Sequence, residues 1–256
     1  MLNVVKIGGN VVDNPEALAR FIADFAAMPG PKALIHGGGK EATRLSARLE
    51  VPTVMIEGRR VTTRETLDIV TMVYAGLINK RIVSALQAAG CNAIGLCGAD
   101  ANVIPAEKRP AKPVDYGFVG DIDPARINSG FIMQLIDSGI VPVFCAINHD
   151  TRGTLLNCNA DSVASAVALA MAPLTPTRLV FCFEKTGVLA DIDNPDSLIP
   201  LITASTFPAL KADGTISAGM VPKITNALAA VAGGVEQVVI KHSDNLLNDT
   251  GTTVTA

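Results

Sequence analysis

Two glycine-rich turns in the first forty residues constrain the fold more than any other feature of the chain: KIGGN at 6–10 and HGGGK at 36–40. Each closes a short apolar run of β type, 2–5 and 33–35, and each opens a helix-like stretch. A turn of several glycines at the end of a buried strand leaves backbone N–H groups bare, with no Cβ in the way of an incoming anion. Two such turns on neighbouring strands face one crevice at the strands' carboxyl ends, where open α/β sheets take their ligands. Lys6 stands at the lip of the first turn. The combination points to phosphate held between two loops.

The chain is long enough, at 256 residues and 49% hydrophobic, to bury a large core in one α/β unit or two lobes. Its charge is balanced, 21 Lys and Arg against 24 Asp and Glu, and aromatic residues make up only 4%. Neither a basic footprint nor a base-stacking surface is present, so nucleic-acid binding is not expected. No uninterrupted apolar run reaches the roughly 18 residues that suggest a membrane span. The start enters a strand at once, with no basic region ahead of it. The five cysteines include no CxxC pair and sit mostly in apolar strand-like runs. They read as reduced, buried thiols of a cytoplasmic protein.

Strand-like and helix-like segments alternate throughout, which predicts an α/β fold around a mainly parallel open sheet covered on both faces. Strands are expected at 2–7, 32–35, 93–97, 140–146, 178–183 and 237–241, with the polar 250–255 closing the sheet as an edge strand. Asn14 with Pro15 after it opens a helix to about Met28. A long helical region covers 63–89, where apolar residues recur with mixed spacing of three and four. The stretch 100–123 is turn-rich, with a small hairpin expected at 116–120. Pro173 and Pro176 break the alanine-rich helix before them and mark an approximate boundary between an amino-terminal lobe, 1–174, and a carboxyl-terminal lobe, 175–256, of one continuous sheet.

Several residues carry chemistry beyond these elements. Lys6 places an ammonium beside the N–H-rich turns. The cluster of Asn157, Asn159 and Asp161 lies at a strand–helix junction; capping accounts for one of the three polar side chains and leaves two unexplained. A carboxylate there can hold lysines by charge-assisted bonds. Lys223 opens a helix, where a cation opposes the macrodipole, a local cost of the sort that marks functional sites. Arg60 offers two parallel donors to a carboxylate, and its neighbour Arg59 reads equally as a surface charge. Neither GxxxxGK[ST] nor GxGxxG is present, which disfavours a P-loop nucleotidase or a dinucleotide dehydrogenase. His36, His149 and His242 are too scattered for metal ligation.

In their order along nearly the whole chain, KIGGN, IHGGGK, GRRVTTRETLDIV, NKRIV, GLCGADAN, GFVGDI, LLNCNADSVA, KTGVLAD and ISAGMVPKITNAL resemble the amino acid kinase family, most of all its N-acetylglutamate kinases. The resemblance implies a three-layer α/β/α sandwich, usually a homodimer, that uses ATP with Mg²⁺ to phosphorylate the side-chain carboxylate of an N-acylated glutamate in arginine biosynthesis. It implies N–H donors to the phosphoryl group from Gly8, Gly9, Gly38 and Gly39, and charge from Lys6 and Lys223, both organised by Asp161. Arg60 would take the substrate's α-carboxylate and Asn157 its other polar end. The nucleotide would lie over Glu184, Lys185, Gly187, Val188, Ser217 and Gly219, and Mg²⁺ would be held mainly by phosphates, without a protein cage. The acyl group stays open between acetyl and succinyl. Other acids (glutamate, aminoadipate) and a non-catalytic amino-acid sensor are the alternatives. One departure stands out: where family members commonly carry Ser or Thr followed by Asp, this chain has Phe183, Glu184 and then Lys185.

Overall fold

The computed structural model describes residues 1–191, 193–194, 196–216 and 220–256. Its centre is an eight-stranded sheet in the order Leu201–Thr203, Thr252–Thr255, Gln237–His242, Thr177–Phe183, Leu2–Ile7, Lys32–His36, Val141–Cys145 and Ala93–Leu96. All neighbours run parallel except Gln237–His242 and Thr252–Thr255. The first strand sits mid-sheet, with Lys6 level with Ile35 and Phe181 on either side. Five of its six residues are buried, as expected of a strand covered on both faces.

Helices Ser129–Asp137, Ala160–Met171 and Val221–Ala232 form one outer layer, the middle one packing on the strands at the sheet's centre. Pro15–Ala27 and the long helix that starts at Arg64 form the other. The caps explain where these helices begin. Asn14 Oδ1 accepts from Glu16 N at 3.0 Å and Ala17 N at 3.1 Å, with Pro15 at the first turn. Thr63 caps Arg64–Thr71, and the helix then widens into a π-helical stretch, Met72–Ile78, before Asn79–Ala88. The 25 residues Arg64–Ala88 are long and apolar enough to cross a bilayer, and 44% of their most apolar window is buried within the fold.

Two sequence expectations change. The closing strand Thr252–Thr255 is not the sheet edge, because Leu201–Thr203 pairs outside it; a three-residue strand after Pro200 has too short a pattern to read. The small hairpin is formed by Gly120–Asp121 with Glu107–Lys108, while Gly117 and Val119 bridge to Thr62 and Asn157. Two further hairpins, Met55–Ile56 with Arg59–Arg60 and Ile147–His149 with Leu155–Asn157, stand over the carboxyl end of the sheet. No break in the sheet falls at Pro173 or Pro176.

Candidate active site

The first turn leaves the strand at Gly8 and passes into the short helix Gly9–Asp13. Contrary to expectation, the Gly8 N–H is spent on Cys182 O at 3.0 Å and Gly8 does not line the cleft, which leaves Gly9 as the donor of this turn. The second turn leads from His36 to Gly38, the residue before helix Gly39–Arg48. Neither helix start has a side-chain cap, so its first N–H groups face outward unpaired by protein side chains. Gly38 is required by close approach: a Cβ there would lie 2.2 Å from Ile78 Cδ1. The second turn is braced from below by His36, which is fully buried. Its Nδ1 lies 2.8 Å from Gly37 O and its Nε2 lies 3.0 Å from Asn79 Nδ2, so the ring is a neutral donor to the turn. Burial pushes its pKa down to about 4.

A cleft of about 240 Å³ opens above both turns, lined by Lys6, Gly9, Gly38, Gly39, Arg60 and Asn157. The Met55–Arg60 hairpin alternates, leaving Arg59 exposed and Arg60 buried. Arg60 Nη2 donates to Gly39 O at 2.9 Å and to Thr43 Oγ1 at 2.8 Å. Asn157 Nδ2 donates to Thr62 Oγ1 at 3.0 Å, and that hydroxyl donates to Arg60 O, so the two substrate-side candidates share one bridge. Of the clustered polar residues the cap is Asn159, which accepts from Asp161 N and Ser162 N. Asn157 and Asp161 are thereby free for other work.

Asp161 Oδ1 lies 2.8 Å from Lys6 Nζ, yet that oxygen makes no directed hydrogen bond. The contact is an ion pair held by charge. Lys223 approaches the same point from helix Val221–Ala232 and rests on Phe183, its Nζ 4.0 Å from the ring centroid; Lys6 Nζ is 5.3 Å from that centroid. Among the described ion pairs Asp161 reaches Lys6 and not Lys223. Both ammonium groups therefore approach the Phe183 ring.

Beyond Phe183 a second cleft of about 400 Å³ is lined by Glu184, Lys185, Gly187, Leu189, Met220 and Lys223. A Cβ on Gly187 would meet Thr252 N at 2.9 Å, which holds this turn tight against the last strand. Val188 is buried behind it, its N–H spent on Thr252 Oγ1 at 2.8 Å, and does not line the cleft. Ser217 and Gly219 lie outside the described residues. Asn10 ties the parts together: it donates to Glu184 Oε1 and accepts from Lys40 Nζ.

Sequence reasoning missed Tyr74 as a cleft residue. Tyr74 enters from the π-helical stretch beside Arg60; burial raises its pKa and the guanidinium opposes that shift. Its signal was a tyrosine, one of only two, within an apolar helix. Arg109 lines the first cleft and donates through Nε and Nη2 to Asp121, a pairing across a hairpin whose partners were misplaced in the sequence. Cys158 also lines it, and burial pushes its thiol up to about 12, so it is not a nucleophile at neutral pH. Among the described residues no three His, Cys, Asp or Glu side chains gather into a metal cage.

The sequence model of the amino acid kinase family matches residues 1–242. The acetylglutamate kinase of Phocaeicola vulgatus is 50% identical over 253 residues, covering 99% of this chain and 98% of that protein. That of Methanopyrus kandleri is 40% identical over 257 residues, covering 99% of this chain and all of that protein. The crystal structure of smu.665 from Streptococcus mutans superposes with a TM-score of 0.80 at 30% identity, covering all of this chain and 98% of that one.

Proposed function

The chain belongs to the amino acid kinase family, and from that premise we propose that it transfers the γ-phosphoryl group of ATP to the side-chain carboxylate of N-acetylglutamate, an early step of arginine biosynthesis. The observation that carries this reading is the approach of Lys6 and Lys223 to one ring, between a cleft rimmed by bare glycine amides and a second, larger cleft. The attacking carboxylate is ionised at neutral pH and needs no general base. The difficulty is to bring two anions together in line, which makes catalysis a matter of position and charge.

In this reading Arg60 and Asn157 hold the acyl-amino acid, Arg60 on the α-carboxylate. Gly9, Gly38 and Gly39 donate N–H groups to the moving phosphoryl, and Lys6 and Lys223 offset the charge that builds on it. Asp161 keeps Lys6 in place. The nucleotide lies in the second cleft, over Glu184, Lys185 and Gly187, so residues 1–174 serve the acid and 175–256 serve ATP. Mg²⁺ arrives on the nucleotide's phosphates; a hard cation that keeps most of its water needs no all-protein cage. Arg109 and Asp121 form a closed ion pair at the cleft wall, which suits an uncharged acetyl group. A succinyl group would have to draw Arg109 away from Asp121. The exposed Met72 and Leu77 of the long helix give a homodimer an apolar surface to cover. The five free cysteines suit a protein that works in the reducing cytoplasm.

A hydroxylamine trap for acyl phosphate, run with ATP and Mg²⁺, tests the assignment. N-acetylglutamate is expected to give product well above N-succinylglutamate, glutamate and aminoadipate. Product with another of these acids alone reassigns the substrate, and none with any acid favours a sensor.

A further inference from the structure

Two ammonium groups of like charge approach one aromatic ring in this site before any phosphate arrives to reward them. Asp161 neutralises one, at 2.8 Å from Lys6 Nζ. Lys223 has no carboxylate partner among the described ion pairs. What the two lysines share is Phe183, 4.0 Å from Lys223 Nζ and 5.3 Å from Lys6 Nζ when measured to the ring centroid. An aromatic face is electronegative and attracts a cation within about 6 Å of its centroid.

The ring is well fixed. Phe183 ends the strand Thr177–Phe183 and stacks on Phe181, with centroids 6.0 Å apart and planes 20° from parallel. Gly8, in the first phosphate-facing turn, passes within 4.0 Å of Phe183 Cδ1 as measured from a Cβ placed on that glycine. The next residue, Glu184, is tied to Asn10 in the same turn. The ring is thus registered against the loop whose amides it serves.

We propose that Phe183 is a positioning residue for phosphoryl transfer, its ring face holding the Lys6 and Lys223 ammonium groups at the transfer point. The inference rests on the kinase reading above. Phe183 forms and breaks no bond. It acts through the lysines, so weakening its pull lowers kcat and leaves the KM for the acyl-amino acid, which Arg60 and Asn157 set, nearly unchanged.

The test replaces Phe183 in the full chain by phenylalanines carrying one, two and three ring fluorines, which drain the electronegative face while nearly keeping the ring's shape. The acyl-phosphate assay is expected to show log kcat falling stepwise with each fluorine, reaching a loss of about tenfold. Phe183→Leu should show at least that loss, and Phe183→Tyr and Phe183→Trp should recover most of it. A flat fluorine series beside an impaired Phe183→Leu would show that the ring only packs, and would overturn the proposal. Lysine labelled with ¹³C at Cε gives a readout free of turnover: the ring current should move the Lys6 and Lys223 signals upfield, and Phe183→Leu should return them. Unshifted signals overturn the platform. If the native chain phosphorylates no acid, the functional reading fails by itself, while these signals still decide whether the ring holds the lysines.

Discussion

Asn79 Nδ2 lies 3.0 Å from His36 Nε2 and also donates to Val143 O at 3.0 Å, so one amide pins a buried imidazole and a sheet strand together. That relationship fixes the protonation of His36, because an amide donor demands an unprotonated nitrogen opposite it. Burial lowers the His36 pKa to about 4, against about 6.5 in an unfolded chain. Below pH 6.5 the unfolded chain takes up a proton that the folded one refuses. Stability should therefore fall as pH drops from about 6.5 to about 4, by up to about 3 kcal/mol from this residue. Urea unfolding at pH 7.5, 6.0 and 5.0 measures it. The His36→Gln variant, less stable at neutral pH, should lose less on acidification than the native chain. Equal slopes for the two would show that His36 does not stay neutral.

Lys6 and Lys223 are both expected to serve the transferring phosphoryl, but their removal should differ in its effect on folding. Either alanine variant should lower kcat about a hundred- to a thousandfold, the usual loss for one preorganised charge or donor. Lys223 is exposed and rests on a ring, so Lys223→Ala should leave the melting temperature unchanged. Lys6→Ala strands the buried Asp161 Oδ1 and should cost about 1 kcal/mol as well. Kinetics paired with thermal melts separate the two outcomes, and near-normal turnover in both variants would remove the mechanism.

Much of this layout was legible in the sequence. Strands ending at Ile7 and His36 announced themselves because a buried parallel strand is a continuous apolar run, and the glycines after it have few other uses. Asn14, with Pro15 behind it, located a helix start to the residue. What escaped was decided by contacts distant in the chain. Arg59 and Arg60 are equivalent in sequence; only the register of a two-residue hairpin buries Arg60 and exposes Arg59. Leu201–Thr203 became an edge strand because the last strand lay beside it, and no pattern of three residues foretells that. Tyr74 reached the cleft through the π-helical stretch, whose wider winding shifts the face that a 3.6-residue period assigns.

The two asparagines at 157 and 159 divide structure from binding. Asn159 accepts from the N–H groups of Asp161 and Ser162, so Asn159→Ala should cost about 1 kcal/mol of stability. Its side chain does no work on the substrate in this reading, and KM should hold. Asn157 is buried against Thr62 at the cleft wall, and Asn157→Ala should raise the KM for the acyl-amino acid about tenfold with kcat little changed. Steady-state kinetics beside denaturant midpoints check both. A KM defect in Asn159→Ala alone would reverse the assignment.

Gly38 meets the long helix more closely than any other residue type permits. A Cβ there would fall 2.2 Å from Ile78 Cδ1 and 3.0 Å from Tyr74 Cδ1, both on buried side chains with little room to yield. Gly38→Ala should therefore push the second turn outward, cost about 1–3 kcal/mol and depress kcat by moving the amides that face the phosphoryl group. Ile78→Ala opens a cavity at the point of collision and should itself cost about 2–5 kcal/mol. Combined, the two changes relieve each other: the new methyl enters the space that the isoleucine leaves, and the double variant should be more stable than the sum of the single losses by at least about 1 kcal/mol. Turnover should recover with it, since the turn can settle back over the π-helical stretch. Losses that simply add, with activity still absent, would mean that the turn and the helix do not meet at Ile78.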